Sequence, residues 1–180
     1  TLTKQLLSFT RKDAHVIKTV NINQVLKAMD VLIEQSVGSG VVVRIKAKKE
    51  LWLTDLDPSE LEDAIINICV NARHAMNGSG EIVIETSNTQ YDFIDEKNDT
   101  KKEVDCVSLS ISDNGSGIPV EVKSRIFDPF FTTKSRGKGT GLGLSKVFGF
   151  VKRSGGELYV YSELGTGTEF KVVFGRSRHS

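Results

Sequence analysis

Two asparagines and a histidine lie on one side of a predicted helix. Asn67 and Asn71 are four residues apart and His74 follows three residues later, so their side chains share roughly one side of that helix. Asparagine is a mediocre helix former, so two of them in an otherwise apolar helix need a reason. They are either buried amides satisfied by neighbouring backbone, or oxygen ligands of the kind that suits a Mg²⁺ ion shared with nucleotide phosphates.

Glycine occupies alternate positions in the run GKGTGLGLS, residues 137–145. The run does not fit the Walker A pattern, because Gly139 follows Lys138, and it does not fit the GxGxxG dinucleotide pattern. It still offers free backbone N–H groups, close approach and entry into a helix N-terminus, which together suit an anion. Lys134 and Arg136 come just before it. The run is either a phosphate-binding loop or a flexible surface loop with solvated charges.

An aspartate and two glycines follow a predicted strand in the stretch DNGSG. As a tight turn this stretch is ordinary. At the buried end of a strand, however, Asp113 could accept a hydrogen bond from an exocyclic amine such as that of adenine. Gly115 and Gly117 would then let a flat ring approach.

The stretch FDPFFTTK, residues 127–134, carries a proline between aromatic residues. One interpretation is a turn with aromatic anchors. The other is a hinge that carries a mobile lid. The sequence of the stretch leaves both open.

Three helices are predicted to position these groups. Asp57 is a suitable N-cap, Pro58 suits the first helical position and Glu60 can close a capping box. The helix that follows keeps an apolar face to about residue 76. The other predicted helices are 22–37, ended by glycines, and 141–154, which starts inside the glycine run; a short helix over 119–126 is also predicted.

Strands are predicted from β-rich runs bounded by turn residues. Two of them, 41–47 and 50–54, are predicted to form a hairpin around Lys48-Lys49. The polar stretch 91–105 predicts a long turn or a partly disordered loop. The remaining extended segments are 16–22, 81–88, 104–112, 157–162 and 168–174. Helices and strands mix without strict alternation, which favours a mixed sheet with helices on one face.

Composition excludes several classes of function. The 180 residues carry 24 Lys+Arg against 23 Asp+Glu, a net charge of +1, so nothing favours nucleic acid or an anionic membrane as a partner. Cys69 and Cys106 form no CxxC motif, and Cys69 in an apolar run predicts a buried thiol in a reducing cytosol. The sequence has no run of the roughly 20 apolar residues that a membrane span needs. It opens without Met, so we expect a fragment of a longer, cytoplasmic protein whose parent could be anchored in the inner membrane.

Five stretches, in this order, resemble the ATP-binding domain of bacterial sensor histidine kinases, which shares a superfamily with gyrase, Hsp90 and MutL. NICVNARHAM resembles the N box, SDNGSGIP the first glycine box, FDPFFTTK the F box, GKGTGLGLS the second glycine box and ELGTGTEF the last glycine-containing strand. The motifs cover about residues 57–174. The N-terminal LTKQLLSFTRK resembles the end of the second dimerisation helix, especially of nitrogen-regulation-like and hybrid kinases.

The resemblance implies an α+β fold, a two-layer α/β sandwich of the Bergerat type with a mixed sheet of about five strands and helices on one face. Residues 1–14 would be the end of the dimerisation helix and residues 15–180 the catalytic domain. The domain would bind ATP and Mg²⁺. Its partners would be its own dimerisation and phosphotransfer domain and a response-regulator receiver domain, in a homodimeric parent. The fragment itself is compatible with a monomer.

The resemblance also implies roles for single residues. Asn71 would be the Mg²⁺ ligand and Asn67 would order phosphates and waters. His74 stands where many members carry a Lys that reaches the phosphates. Asp113 would accept the adenine amine, and Thr168 would support it through its hydroxyl or a water.

A lid and phosphate cradle would extend from residue 134 to residue 143 and become ordered when ATP binds. A looser correspondence brings Thr132 or Thr133 near the sugar. The full set of implied nucleotide contacts is Asn67, Asn71, His74, Asp113, Gly115, Gly117, Ile118, Thr132, Thr133, Lys134, Arg136, Gly137, Lys138, Gly139, Thr140, Gly141, Leu142, Gly143, Leu144 and Thr168.

Two departures bear on activity. Superfamily ATPases carry a Glu general base at the position of Asn67, and Asn lacks that basicity, so slow hydrolysis and transfer to histidine are expected. The phosphoacceptor histidine motif is absent from the sequence, since His15 and His179 stand in other contexts. The alternatives are a conformational ATPase of the gyrase/Hsp90/MutL type and a module that binds nucleotide without transfer.

Overall fold

Twelve helices and strands make up the part of the chain that the structure, a computed structural model, describes, namely residues 16–123 and 143–179. The strands are β1 (Lys18–Val20), β2 (Val41–Lys46), β3 (Thr54–Leu56), β4 (Gly80–Asp95), β5 (Thr100–Asp113), β6 (Glu157–Glu163) and β7 (Gly167–Gly175). The helices are α1 (Ile22–Ala28), α2 (Asp30–Val37), α3 (Pro58–Ala75), α4 (Val120–Lys123) and α5 (Gly143–Arg153). No helix in these two ranges is long and apolar enough to cross a membrane.

The main sheet is mixed, as the sequence predicts. Its five strands lie in the order β2-β4-β5-β7-β6, and a separate two-stranded sheet pairs β1 with β3. Strand β2 runs parallel to β4, whereas all other neighbours in the main sheet are antiparallel. The predicted α+β class and the sheet of about five strands are confirmed.

One face of the sheet forms the core with the helices. Ile84, Ile111 and Phe170 lie opposite one another on β4, β5 and β7, and each is at most 4% exposed. They belong to the same buried cluster as Ile65 and Ile68 of α3. The next row on the opposite face is polar, with Ser110 and its strand partners Glu85 and Lys171. The helices therefore cover one face of the sheet, as predicted.

Helix α3 begins where its sequence predicts. The Asp57 side chain accepts a hydrogen bond of 2.9 Å from the Ser59 N–H, and Pro58 occupies the first turn. Satisfying an otherwise unpaired N–H fixes the start of the helix. Cys69 in this helix is fully buried, and burial raises the pKa of its thiol to about 12, which confirms the predicted buried thiol. The predicted helix over 22–37 is also confirmed, except that it is divided at Met29 into α1 and α2.

The hairpin predicted around Lys48-Lys49 is wrong. Strand β2 ends at Lys46 and pairs with β4, and the second strand of that prediction starts only at Thr54 and pairs with β1. The connecting segment is held by side chains of β4 instead. The Lys48 N–H donates to Thr86 Oγ1 at 3.0 Å and the Trp52 N–H donates to Asn88 Oδ1 at 2.9 Å. Tertiary contacts thus override the local β-propensity.

The loop predicted over 91–105 is also wrong. Strands β4 and β5 continue as a long hairpin, paired to Asp95 and Thr100, with only residues 96–99 between them. Aromatic packing helps to explain the difference, because Tyr91 stacks on Tyr159 of β6 with a centroid distance of 5.9 Å. Lys171 Nζ also lies 5.7 Å from the centroid of the Tyr91 ring. Polar composition alone does not reveal such contacts.

The remaining strand predictions, 157–162 and 168–174, correspond to β6 and β7. The helix predicted over 141–154 is α5, and the one predicted over 119–126 includes α4, where the Lys123 N–H donates to the Pro119 carbonyl at 2.9 Å. The predicted dimerisation helix over 1–14 and the hinge over 127–134 lie outside the described residues.

Candidate nucleotide-binding site

Helix α3 is the axis of the candidate site. Asn67, Asn71 and His74 are all half-buried, unlike the core-facing Ile68 and Ala72. The predicted common side for the two amides and the imidazole is therefore a partly open side of the helix. From Asn67 to His74 an α-helix rises about 10 Å, so the three groups line an elongated surface.

The start of α5 lies against the middle of α3. A methyl group placed on Gly143 would lie 3.6 Å from both Cγ and Oδ1 of Asn67, which is ordinary contact distance. At the far end of the two helices, Arg153 and Glu60 form an ion pair of 3.0 Å, so α5 runs antiparallel to α3. The positive end of the α5 dipole is consequently directed to the neighbourhood of Asn67. Leu144, which follows, packs against the core. We call this region, Asn67, Asn71, His74, Gly143 and Leu144, the phosphate end.

Asp113 closes β5 at the other end of the site. Its Oδ1 accepts a hydrogen bond of 2.8 Å from the Gly115 N–H. Burial, the largest cause, raises the pKa of the carboxyl, while hydrogen bonds from the backbone of Gly115 and Thr168 oppose that rise. The result is a half-buried acceptor with a fixed direction. We call the region formed by residues 113–118 and Thr168 the base end.

The glycines of the base end are required by close backbone contacts. A methyl group on Gly115 would lie 2.8 Å from the carbonyl oxygen of Ala75, the last residue of α3. Gly117 has a φ of 78°, and a methyl group there would lie 2.4 Å from the Glu163 carbonyl oxygen. The sequence predicts that these glycines make room for a flat ring. The structure shows a further reason, since they let the loop pass between α3 and β6.

Thr168 lies beside Asp113 as the sequence predicts, but by a different contact. The two residues are cross-strand partners, and Thr168 is 5% exposed. The hydrogen bond that Thr168 gives to Asp113 comes from its backbone. The Thr168 hydroxyl, which was predicted to support Asp113 either itself or through a water, lies 3.0 Å from Ser162 Oγ.

Two residues that contact the base end were not predicted. The Ala75 carbonyl accepts a hydrogen bond of 3.1 Å from the Ser116 N–H, which ties the loop to α3. Ser162 Oγ accepts one of 2.6 Å from the Ile118 N–H. Ser162 was detectable, because Leu158 and Val160 alternate on the core side of β6 and a serine then takes the next inward position. The contact of the Ala75 carbonyl leaves no sequence signal.

The described residues suit a magnesium ion that arrives with a nucleotide. Residues 16–123 and 143–179 contain no group of three His, Cys, Asp or Glu side chains that could hold a metal ion by themselves. Mg²⁺ commonly takes one or two protein oxygens and completes its shell with waters and phosphates. The half-buried amide of Asn71 offers one such oxygen.

The structure therefore brings together part of the predicted site. Asn67 lies next to Gly143. Asp113 is hydrogen-bonded to Gly115 and Thr168, and Ile118 is linked to Thr168 through Ser162. Gly117 lies in the same loop. The other predicted contacts lie outside the described residues: Thr132, Thr133, Lys134, Arg136, Gly137, Lys138, Gly139, Thr140, Gly141 and Leu142.

Comparison with known proteins shows the family of the chain. Residues 56–178 match the family described as histidine kinase-, DNA gyrase B-, and HSP90-like ATPase. The sensor kinase CckA of Brucella abortus is 39% identical over 176 residues, which are 97% of this chain and 19% of that protein. This chain covers similarly small shares of other curated relatives, such as 36% of sporulation kinase C of Bacillus subtilis.

Solved structures share the fold. The catalytic domain of histidine kinase ThkA, in a nucleotide-free form, has a TM-score of 0.70 and 26% identity, and the match covers 89% of this chain and 98% of that chain. Full-length ShkA in complex with AMPPNP also has a TM-score of 0.70, with 24% identity over 91% of this chain and 32% of that chain. The predicted ATP-binding fold is confirmed. The chain belongs to the family of histidine kinase-, DNA gyrase B- and HSP90-like ATPases.

Proposed function

We propose that residues 15–180 are the catalytic domain of a sensor histidine kinase, which binds ATP and transfers its γ-phosphoryl group to a histidine. One observation supports this most strongly. In a chain of this ATPase family, a fixed carboxylate, that of Asp113, lies at the C-terminal end of α3, and the N-terminus of α5 lies against the middle of α3. One end suits a base that donates a hydrogen bond, and the other suits phosphates.

At the base end, Asp113 accepts a hydrogen bond from the adenine amine. The Gly115 and Thr168 backbone holds the carboxylate in place before the nucleotide arrives. Because the carboxylate is already partly desolvated, little further desolvation is needed when the base binds. Ile118 and the two glycines keep the loop close to the ring.

At the phosphate end, Asn67 and the first N–H groups of α5 contact the phosphates. The helix dipole favours the negative charge of the triphosphate at that place. Asn71 provides an oxygen for Mg²⁺, which neutralises phosphate charge when it is bound. His74 reaches toward the phosphates from the last turn of α3, more weakly than a lysine because a neutral imidazole carries no charge. We propose that the predicted lid and phosphate cradle, from residue 134 to residue 143, completes this end.

The reaction is a displacement at phosphorus. A ring nitrogen of the acceptor imidazole forms a bond to the γ-phosphorus through its lone pair, the bond to the β–γ bridging oxygen breaks, and ADP leaves. Positioning and electrostatics provide most of the catalysis in such transfers. Asn67 cannot act as a general base for water, which favours transfer over hydrolysis.

The acceptor belongs to another segment of the parent. We propose that residues 1–14 end the second dimerisation helix, and that the acceptor histidine lies on the dimerisation domain of a homodimeric parent in the cytoplasm. The phosphoryl group then passes to an aspartate of a response-regulator receiver domain. The partial coverage of the relatives, 19% for CckA, agrees with a catalytic domain inside a longer protein.

The test supplies the parent's dimerisation domain in trans, with ATP labelled at the γ-phosphate. We expect the labelled phosphoryl group to appear on the dimerisation domain in an acid-labile, base-stable form. We expect no label when the Asn71→Ala variant is used in place of the original chain. A conformational ATPase would instead release inorganic phosphate rapidly without the second domain. Failure to form phosphohistidine, both in trans and in the full-length parent, would contradict the proposed function.

A further inference from the structure

Ser162 places a hydroxyl on the core-facing side of β6, where it contacts Ile118 and Thr168 of the base end and the neighbouring Gly167. Its Oγ lies 2.6 Å from the Ile118 nitrogen, 3.0 Å from Thr168 Oγ1 and 3.3 Å from the Gly167 carbonyl oxygen. The side chain is half-buried. Ser162 is therefore in a position to link the loop after β5 with the start of β7.

One arrangement of hydrogens satisfies all three contacts at once. A serine hydroxyl has one hydrogen to donate and two lone pairs that accept. The Ile118 N–H uses one lone pair, and the Gly167 carbonyl can only accept, so it receives the hydrogen of Ser162. The second lone pair remains for Thr168. In the arrangement that satisfies all three contacts, the Thr168 hydroxyl therefore donates to Ser162.

This arrangement changes what Thr168 can offer to a ligand. With its hydrogen committed to Ser162, its hydroxyl oxygen has only lone pairs left. Thr168 is 5% exposed and is the cross-strand partner of Asp113, whose carboxylate is also an acceptor. Both groups thus accept hydrogen bonds, which suits an exocyclic amine. A carbonyl oxygen at the same place would face acceptors and would be poorly solvated.

We propose that Ser162 is a positioning residue that sets the nucleobase specificity of this site by fixing the direction of the Thr168 hydroxyl. Ser162 does not contact the nucleotide. It acts through Thr168 and through the loop that it holds at Ile118. The inference rests on the proposed function, because it requires ATP to bind at the base end.

The experiment compares ATP with inosine triphosphate, whose base carries a carbonyl oxygen in place of the adenine amine. Dissociation constants for both nucleotides are measured by calorimetric titration for the chain and for Ser162→Ala, Ser162→Thr and Thr168→Val. The preference for ATP should fall about tenfold in Ser162→Ala and in Thr168→Val, the size expected for one lost or misdirected hydrogen bond in a buried site. Ser162→Thr keeps a hydroxyl and should keep most of the preference.

Ser110→Ala is the matched control. Ser110 is also a half-buried strand serine whose hydroxyl donates to a side chain, that of Glu169, but it lies on the opposite face of the sheet. Its replacement should leave the ratio of the two dissociation constants unchanged. A general loss of stability would weaken the binding of both nucleotides by the same factor and would leave the ratio unchanged. The ratio therefore distinguishes an effect on hydroxyl positioning from an effect on folding.

The outcomes are distinguishable. An unchanged ratio in Ser162→Ala, with ATP still bound, would overturn the inference and leave the proposed function intact. If Ser162→Ala does not fold, as judged by its thermal transition, Thr168→Val provides the test. An unchanged ratio of the two dissociation constants in Thr168→Val then overturns the inference. A chain that binds neither nucleotide would contradict both proposals.

Discussion

The base end and the phosphate end of the candidate site are built in different ways. The base end is fixed by hydrogen bonds from the Gly115, Ser116 and Ile118 N–H groups, each to a different partner. The phosphate end, as far as the structure describes it, consists of half-buried side chains on α3 and the first residues of α5. The first is a small network with defined directions, whereas the second is a surface of amides and helix N–H groups.

Under the proposed function, this difference matches the chemistry of the two halves of ATP. Recognition of a base depends on the direction of hydrogen bonds, and a fixed network rejects a wrong donor or acceptor strongly. Triphosphate recognition depends on charge and on N–H groups, which tolerate small displacements. We therefore expect substitutions of the recognition groups at the base end to affect affinity steeply, and substitutions of its close-packed glycines to affect folding steeply. Substitutions at the phosphate end should have more gradual effects.

The largest effect is expected for Asp113→Asn. The amide presents an NH₂ group where the carboxylate only accepts, so we expect ATP affinity to fall by about a hundredfold, the size of a reversed charge-assisted hydrogen bond in a partly buried site. Stability at neutral pH should hardly fall, because burial already opposes ionisation of this carboxyl. Calorimetric titration and thermal unfolding measure the two quantities.

The control for this substitution is Asp92→Asn, on the exposed arm of the β4–β5 hairpin. It removes the same charge far from the base end and should leave ATP affinity unchanged. If both variants weakened ATP equally, the effect would come from overall charge, and Asp113 would not be the base-recognition group.

The second effect concerns two glycines, one at each end. Gly117→Ala should lower the free energy of unfolding by about 2–3 kcal/mol, because its φ of 78° and the Glu163 carbonyl 2.4 Å from the new methyl group both oppose a side chain. Gly143→Ala should change it by less than about 1 kcal/mol, since its nearest atoms are 3.6 Å away and alanine favours helix. Urea denaturation compares them.

Gly155→Ala separates the two causes at Gly117. It has a similar φ of 72° and no atoms within 4 Å of the new methyl group, so it reports backbone strain alone, at about 1 kcal/mol. Equal losses at Gly117 and Gly155 would show that the close approach to Glu163 does not matter, and equal losses at Gly117 and Gly143 would remove the contrast between the two ends.

Local patterns predicted the elements that carry the site. The capping sequence at Asp57 and the apolar face of α3 placed Asn67, Asn71 and His74 on one helix, and the alternation in β5 ended at Asp113, as observed. Capping and periodicity arise from short-range interactions, so a sequence shows them directly. The resemblance of the ordered motifs then supplied the family and the nucleotide.

Contacts between distant segments could not be predicted in this way. The segment from Lys48 to Trp52 lacks its own hairpin because Thr86 and Asn88 satisfy its backbone, and the polar arm beyond residue 91 stays extended because Tyr91 reaches Tyr159. The roles of Ser162 and of the Ala75 carbonyl also depend on packing. Each contact joins residues at least 36 positions apart, and no local pattern encodes the pairing.

The third prediction concerns the phosphate end and the rate at which the chain hydrolyses ATP. Asn67→Glu places a carboxylate beside the N-terminus of α5, where the helix dipole stabilises its negative charge. The resemblance assigns a glutamate general base to this position in the ATPases of the superfamily. We expect hydrolysis of ATP by the chain alone to rise about a hundredfold, the lower end of the range for general-base catalysis.

Asn67→Gln is the control for this substitution, because it has the same length as Glu without its basicity. Release of inorganic phosphate under saturating ATP is the measurement. A rise in both variants would reflect altered geometry, and no rise in Asn67→Glu would show that the attacking water does not approach from the side of residue 67.

The smallest effect is a pH dependence that belongs to the base end. Burial raises the pKa of Asp113 above 3.8, so the folded protein takes up this proton more readily than the unfolded chain. Ionised Asp113 therefore costs stability above its folded pKa, and that cost disappears as the pH falls below it. Protonation also turns an acceptor into a donor, so ATP should bind more weakly as the pH is lowered from neutral toward the raised pKa of this carboxyl. Protonation of the nucleotide phosphates weakens ATP binding to the chain and to Asp113→Asn alike. The ratio of the two affinities is therefore independent of that effect. That ratio should fall toward one as the pH decreases; a ratio that stays constant over this range would mean that Asp113 keeps an ordinary pKa and that the base end is not desolvated.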